Sequence, residues 1–227
     1  MGISFHVSCQ EGKCNAHICI YTITHDILTE KDAMGKIVFR ELQLMDALSL
    51  DVLNSDWHGY RGTGIHEDRL LKPGWLQQLV VRWGLHVASP PDANAIAALQ
   101  SLRALMQHMV QAFLQQQAPS EQDIAKLNSY LDTAPFKVHL MRKGEHYQMR
   151  QVPLNNDWHW VLGEVAASFA ALLAHHDHSR LKQCENPDCR WVYYDESANQ
   201  NRRWCEDSCA NLMRVRRFRA RRQRSNR

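Results

Sequence analysis

Apolar positions recur at helical spacing through most of the chain, and a strict two-residue alternation is never sustained for long. Leu44, Met45, Leu48, Leu50, Val52 and Leu53 mark one buried segment that runs up to a turn-rich stretch from Asn54 to Gly64. Pro73 suits the first turn of a helix, after which Trp75, Leu76, Leu79, Val80 and Trp83 repeat at three and four until Gly84 stops the run. Beyond Ser89-Pro90-Pro91-Asp92 comes the clearest amphipathic stretch, with Ile96, Leu99, Leu102, Leu105, Met106, Met109, Val110 and Phe113 on one stripe. Ser120, with Asp123 three positions on, predicts a capped short helix whose core face is Ile124, Leu127 and Leu131. Val138 to Met141 and Tyr147 to Val152 flank Lys143-Gly144-Glu145 and predict a two-stranded hairpin. A last body helix is expected from Asp157 to His175, built on Trp158, Val161, Leu162, Val165, Phe169, Leu172 and Leu173. Residues 1–36 show no such period and read as an N-terminal extension with no assigned structure. The pattern therefore predicts an α+β protein: a mainly α-helical body with a small β-hairpin over 37–178, joined through Asp177 to Lys182 to a separate C-terminal module over 179–227.

Cysteine placement gives that last module its chemistry. Of seven cysteines, three lie near the start (Cys9, Cys14, Cys19) and four cluster late (Cys184, Cys189, Cys205, Cys209). The late four read Cys-x4-Cys, a 15-residue spacer, then Cys-x3-Cys, two close pairs at about the separation found in zinc-ribbon or treble-clef modules. Two tight turns can bring four thiolates around one Zn2+, and Pro187 and Asp188 suit the first of them. Because all four candidate ligands are Cys, no position is left for water, so the expected role of the ion is structural. A module this small lacks an adequate core, and metal binding would supply the deficit. Trp191 to Tyr194 read as strand and the residues after Cys209 as helix.

Charge separates the same region from the rest. The formal net charge is only +3, but residues 1–201 hold 17 Lys and Arg against 22 Asp and Glu, whereas residues 202–227 hold ten Arg against Glu206 and Asp207. An acidic body thus ends in a segment of net charge +8, the electrostatic footprint of a polyanion-binding terminus. Arg202, Arg203, Arg214, Arg216, Arg217, Arg219, Arg221 and Arg222 are the candidate nucleic-acid contacts, and the absence of Lys among these cations suits bidentate phosphate or guanine recognition. Leu212, Val215 and Phe218 form an apolar stripe expected to pack on the zinc module. DNA is the favoured partner. RNA stays open, because Trp191, Tyr193, Tyr194 and Trp204 could stack on unpaired bases, and so does an acidic protein partner.

The stretch from Leu181 to Arg222, with its Cys-x4-Cys, Trp191, Asp195, Asn199, Asn201, Arg202-Arg203-Trp204-Cys205, Cys209, Asn211 and Val215-Arg216-Arg217, resembles the CGNR zinc finger. Upstream, Leu50-Asp51-Val52-Leu53-Asn54-Ser55-Asp56-Trp57 and the helical body look like the ABATE domain that precedes that finger. Together the resemblance spans about residues 37–222. It implies a bacterial transcription regulator whose finger binds DNA and whose body binds a ligand. The chain departs from the name-giving motif, with Ala210-Asn211-Leu212 where Gly-Asn-Arg would stand.

Other features shape the expectation less. Asn54, Asp56, Trp57 and His58, with Tyr60 and Arg61, combine aromatic surface and polar handles on a connector and are the candidate small-molecule pocket. His175, His176 and His178 sit at a helix end, where cationic groups are favourable without any metal. No nucleophile stands beside a base motif, and neither a Gly-rich phosphate loop nor a His-Glu zinc-enzyme signature occurs, so a non-enzymatic protein is expected. The most apolar stretch, Val161 to Ala174, is shorter than a membrane span and is interrupted by Glu164. With no signal-peptide pattern, and His6 where a myristoylation signal needs Ser or Thr, a cytoplasmic location is expected. A dimer is compatible with this reading; the oligomeric state is not specified by it.

Overall fold

The computed structural model describes residues 47–225. Leu44 and Met45, the 1–36 extension and Cys9, Cys14 and Cys19 lie outside the described residues. Six α-helices and three two-stranded antiparallel sheets follow in the order α1 (Leu48–Leu53), β1 (Asp56–His58), β2 (His66–Asp68), α2 (Pro73–Arg82), α3 (Ala93–Leu114), α4 (Glu121–Leu131), β3 (Phe136–Lys143), β4 (His146–Pro153), α5 (Trp158–His175), β5 (Leu181–Gln183), β6 (Val192–Tyr194) and α6 (Asp207–Ser225). Among the described residues, no helix is long and apolar enough to cross a membrane.

The helices start where their first amide groups find acceptors. Asp92 accepts from the Ala95 amide at 2.8 Å at the start of α3, Asp157 accepts from the His159 and Trp160 amides before α5, and Ser120 with Asp123 closes a reciprocal capping box on α4. The core lies where α1, α3 and α5 meet, with Val52, Leu99, Leu102, Met106, Met109, Val110, Val161, Val165 and Phe169 fully buried. Burying side chains of this size stabilises by about 1.5–3 kcal/mol each. Gly163 lets α5 approach the end of α4: a Cβ there would lie 2.1 Å from that of Ala134, a collision no rotamer could relieve.

Several expectations need correction. On α4 the buried positions are Asp123 and Leu127, whereas Ile124 is 41% exposed. The capping box draws Asp123 inward, and Ile124 is then carried about 100° round the helix toward solvent. The hairpin is longer than its apolar pattern suggested, pairing Phe136 with Pro153 through to Lys143 with His146. Its Val138, Leu140, Tyr147 and Met149 stay exposed, because neither face meets the core, and this accounts for the imperfect alternation. Asn54 to Gly64 is not a plain connector: Asp56, Trp57 and His58 pair with Asp68, Glu67 and His66 in a short ladder. After the joining stretch from Asp177, β5 begins at Leu181 and pairs with β6, and Leu181, Val192 and Tyr194 complete the core of the helical body.

Candidate metal centre and cationic helix

A local fold brings the four late cysteines together. The stretch between Cys184 and Cys189 folds into a knuckle in which the Cys189 amide donates to the Asn186 carbonyl at 3.0 Å, and Arg190 takes a left-handed φ of 57° to send the chain back into β6. The Cys184 amide then bonds the Trp191 carbonyl at 2.8 Å. Cys205 stands before α6 and Cys209 in its first turn, so one helical turn sets their separation. All four sulfurs are buried and lie within 4.8 Å of one another, with Cys189 to Cys205 at 3.6 Å and Cys205 to Cys209 at 3.8 Å. A zinc–sulfur bond of about 2.3 Å in a tetrahedron requires sulfur–sulfur edges of about 3.8 Å, so the cluster has the dimensions of one structural Zn2+ site.

Electrostatics support the same assignment. Four thiolates this close repel. Hydrogen bonding with Cys184 holds the Cys189 and Cys205 thiols above the usual range, while bonding from Cys189 holds Cys184 below it. A divalent cation removes that conflict by stabilising all four as thiolates. Asn186, fully buried, aims its amide at Cys209 Sγ from 3.5 Å, the kind of outer-shell donor that orients a metal ligand.

Polar ties anchor the module further. Asp195 is fully buried. Burial pushes its carboxyl up, but Lys182 at 2.6 Å, the Ser197 hydroxyl and amide and the Arg202 amide outweigh that and hold it well below the carboxylate range. Asn54 bonds β6 in both directions: its amide donates to the Val192 carbonyl at 2.9 Å and its oxygen accepts from the Val192 amide at 2.8 Å. Asn186 also donates to the Tyr60 carbonyl at 2.8 Å, and Arg216 from α6 reaches Asp188 at 2.7 Å and the Arg61 carbonyl at 3.1 Å. Gly62, at φ 78°, fits between: a Cβ there would lie 2.8 Å from the Arg216 guanidinium and 2.9 Å from the Asp188 carboxylate. The loop after β1 is thus the body's handle on the cysteine module.

The arginines divide into two groups. Arg202 lies over the Tyr193 ring and donates to the Trp204 and Cys205 carbonyls, Arg203 forks onto Glu185, and Arg216 is held by Asp188. These three brace the module. Arg214 donates to the Asn211 side-chain oxygen at 2.9 Å, Arg217 lies over Trp204, and Arg219, Arg221, Arg222 and Arg224 project into solvent. The expected apolar stripe does not pack as predicted, for Val215 is 45% and Phe218 62% exposed. The helix leaves the module after about three turns, and from Phe218 to Ser225 its residues are exposed among the described residues. Of the aromatic residues considered for stacking, Tyr193 and Tyr194 are buried, Trp204 is covered by Arg203 and Arg217, and Trp191 stays partly exposed.

Asn54, Asp56, Trp57 and His58 take different neighbours. Asn54 is buried against β6, Trp57 lies beneath the Arg69 guanidinium, and Asp56 pairs with His66, a residue the sequence reading passed over. Burial pushes Asp56 up, but the His66 hydrogen bond and the nearby charges of His58, Arg103 and His66 leave it below its usual range. Open hollows occur elsewhere. One of about 410 Å³ is lined by Leu105, His108, Asp123 and Tyr130, and one of about 360 Å³ lies beside the knuckle at Gln111, Gln183 and Arg190. His178 stacks on Phe113 and His176 packs edge-on to Tyr194, so the structure gives His175, His176 and His178 no common centre. Also unforeseen is a pair in which the buried Arg103 forks onto the half-buried Asp68 at 2.7 and 2.8 Å and reaches the Ser55 hydroxyl at 2.9 Å. The Arg103 bonds hold Asp68 down at about 2.

Comparison with known families matches these two parts of the chain. Residues 46–176 match ABATE, described as "Putative stress-induced transcription regulator", and residues 180–222 match the CGNR zinc finger. No curated protein matches the chain.

Proposed function

The chain belongs to the ABATE family and carries a CGNR zinc finger after it, and from that premise we propose that it is a cytoplasmic, ligand-responsive transcription regulator that binds duplex DNA through α6. It works by binding and not by catalysis. The observation that carries this reading is the division of the arginines: Arg202, Arg203 and Arg216 have protein partners that fix the helix, while Arg219, Arg221, Arg222 and Arg224 stand exposed along its far end. Structural zinc holds the start of that helix, and the body meets the finger through Asn54, Tyr60 and Arg61. Duplex DNA is favoured over single-stranded RNA because three of the four aromatic residues that would stack on bases, Tyr193, Tyr194 and Trp204, are buried or covered, which leaves only Trp191 partly open.

Binding to a mixed-sequence DNA duplex across a range of salt tests the proposal. About five phosphate contacts release counterions enough for a log–log slope near −4.5. Binding indifferent to salt, or a single-stranded RNA outcompeting the duplex, would overturn it.

A further inference from the structure

We propose that Asp56, His58 and His66 form a second metal site, separate from the four cysteines, that takes an exchangeable divalent transition-metal ion. Asp56 and His58 are two apart on β1 and so share a face, and the ladder sets His66 directly opposite His58. One ligand atom from each lies within 4.8 Å of the other two. His66 Nε2 is 2.5 Å from Asp56 Oδ1, and the two imidazole rings are 4.5 Å apart, centroid to centroid.

The second observation concerns His58. Its Nε2 is sealed from solvent and has no hydrogen-bond partner among the described residues; Asp56 Oδ2 stands 3.5 Å away, within ion-pair reach but without a hydrogen bond. A buried ring nitrogen without a partner is costly, and a metal ion held between it, Asp56 and His66 would satisfy it. A simple Asp56–His66 ion pair leaves that nitrogen unexplained. Asp68, across the ladder from Asp56, is not a fourth donor, because its oxygens accept from Arg103 and Gln100. Two imidazoles and one carboxylate suit Zn2+, Fe2+, Co2+ or Ni2+ and leave coordination positions open. Asp56 and His66 are partly exposed, which gives an ion a way in and out.

The site also lies at the base of the loop that holds the finger. The Gly59 amide bonds the Ile65 carbonyl, and the next two carbonyls, of Tyr60 and Arg61, accept from Asn186 and Arg216. Asn186 in turn touches Cys209 Sγ. An ion joining β1 to β2 would fix the root of this loop, which makes a metal ion the candidate ligand of the body. This regulatory part rests on the function proposed above, whereas the site itself does not.

The test compares the untagged, zinc-loaded full chain with His66→Ala and Asp56→Asn, titrated with Co2+ under equilibrium dialysis and counted by elemental analysis. The expected result is one more ion per chain in the parent than in either variant, with an absorption spectrum free of thiolate charge transfer and with the cysteine-bound zinc retained in all three. Equal ion counts in parent and variants, with circular dichroism showing all three folded, would overturn the site. If a variant unfolds, His66→Gln takes its place, and the same difference in count is required. In parallel, affinity for a mixed-sequence DNA duplex should change by about ten-fold on filling the second site, and His66→Ala should abolish the change. An unchanged affinity overturns the regulatory role, and no DNA binding in either state overturns the proposed function, while the ion count decides the site independently.

Discussion

The helical body and the finger solve the same problem with different materials. The body buries a continuous set of Leu, Val, Met and Phe side chains between α1, α3 and α5. The finger's own cluster is four cysteines and Tyr193, with Tyr60, Trp191 and Trp204 at its edge, and its interior is otherwise polar, held by Asp195 and Asn186. Burying apolar surface is graded, so a body residue can be trimmed at a proportionate cost. A metal centre is all or nothing, because removing one ligand leaves the others as mutually repelling or unpaired groups.

Stripping the metal is therefore expected to have the largest effect. Chelation, or Cys209→Ser, should forfeit roughly 10 kcal/mol of apparent stabilisation and unfold the finger while α3 and α5 remain helical. Amide exchange followed segment by segment would show this, and α6 protected without metal would break the contrast. Next, Phe169→Ala should cost about 3–5 kcal/mol in urea denaturation yet leave the zinc content unchanged. Arg103→Ala, which leaves the half-buried Asp68 carboxylate without its cation, should cost less, about 1–3 kcal/mol. Asn186→Ala removes the bond to Tyr60 and the donor to Cys209, and should cost about 1–3 kcal/mol together with a measurable loss of zinc affinity. Retained zinc affinity in that variant would show that the two regions are less entangled than their hydrogen bonds suggest.

Acid should separate the regions as well. The Asp68 carboxyl is depressed from 3.8 to about 2, so the stability it gives the body is present above about pH 4 and is lost as pH falls toward 2. Zinc release competes with thiolate protonation and should come earlier on the same descent. Circular dichroism and a zinc-release dye followed together would order the two events. The smallest effect is expected for Leu140→Lys on the exposed hairpin, within about 0.5 kcal/mol, and a larger loss would reveal a contact that the isolated chain does not contain.

These contrasts also explain what the sequence could disclose. Helices α3, α4 and α5 were legible because each carries apolar residues at helical spacing and because Asp92, Ser120 and Asp157 stand where first-turn amides need acceptors. The cysteine cluster was legible from spacing alone. The β1–β2 ladder was not, since three-residue strands bearing Asp, Trp and His against His, Glu and Asp show no apolar alternation. His66 escaped notice for that reason: only the pairing register brings it opposite His58. Charge counting found the arginine tail but could not separate Arg203 and Arg216 from the rest, because their partners Glu185 and Asp188 belong to the knuckle, 18 and 28 positions away. The predicted packing of Val215 and Phe218 failed because helical periodicity specifies a face and not whether anything covers it.

The free end of α6 has a dimension worth comparing with its proposed target. Phe218 to Ser225 are all exposed, and eight residues at 1.5 Å per residue make an unsupported cylinder about 12 Å long, close to the width of the major groove of B-form DNA. Arg216, clamped to Asp188 just before that overhang, fixes how the cylinder is rolled about its own axis. Releasing the clamp with Asp188→Ala would let it roll, leaving the charge intact but its aim undefined.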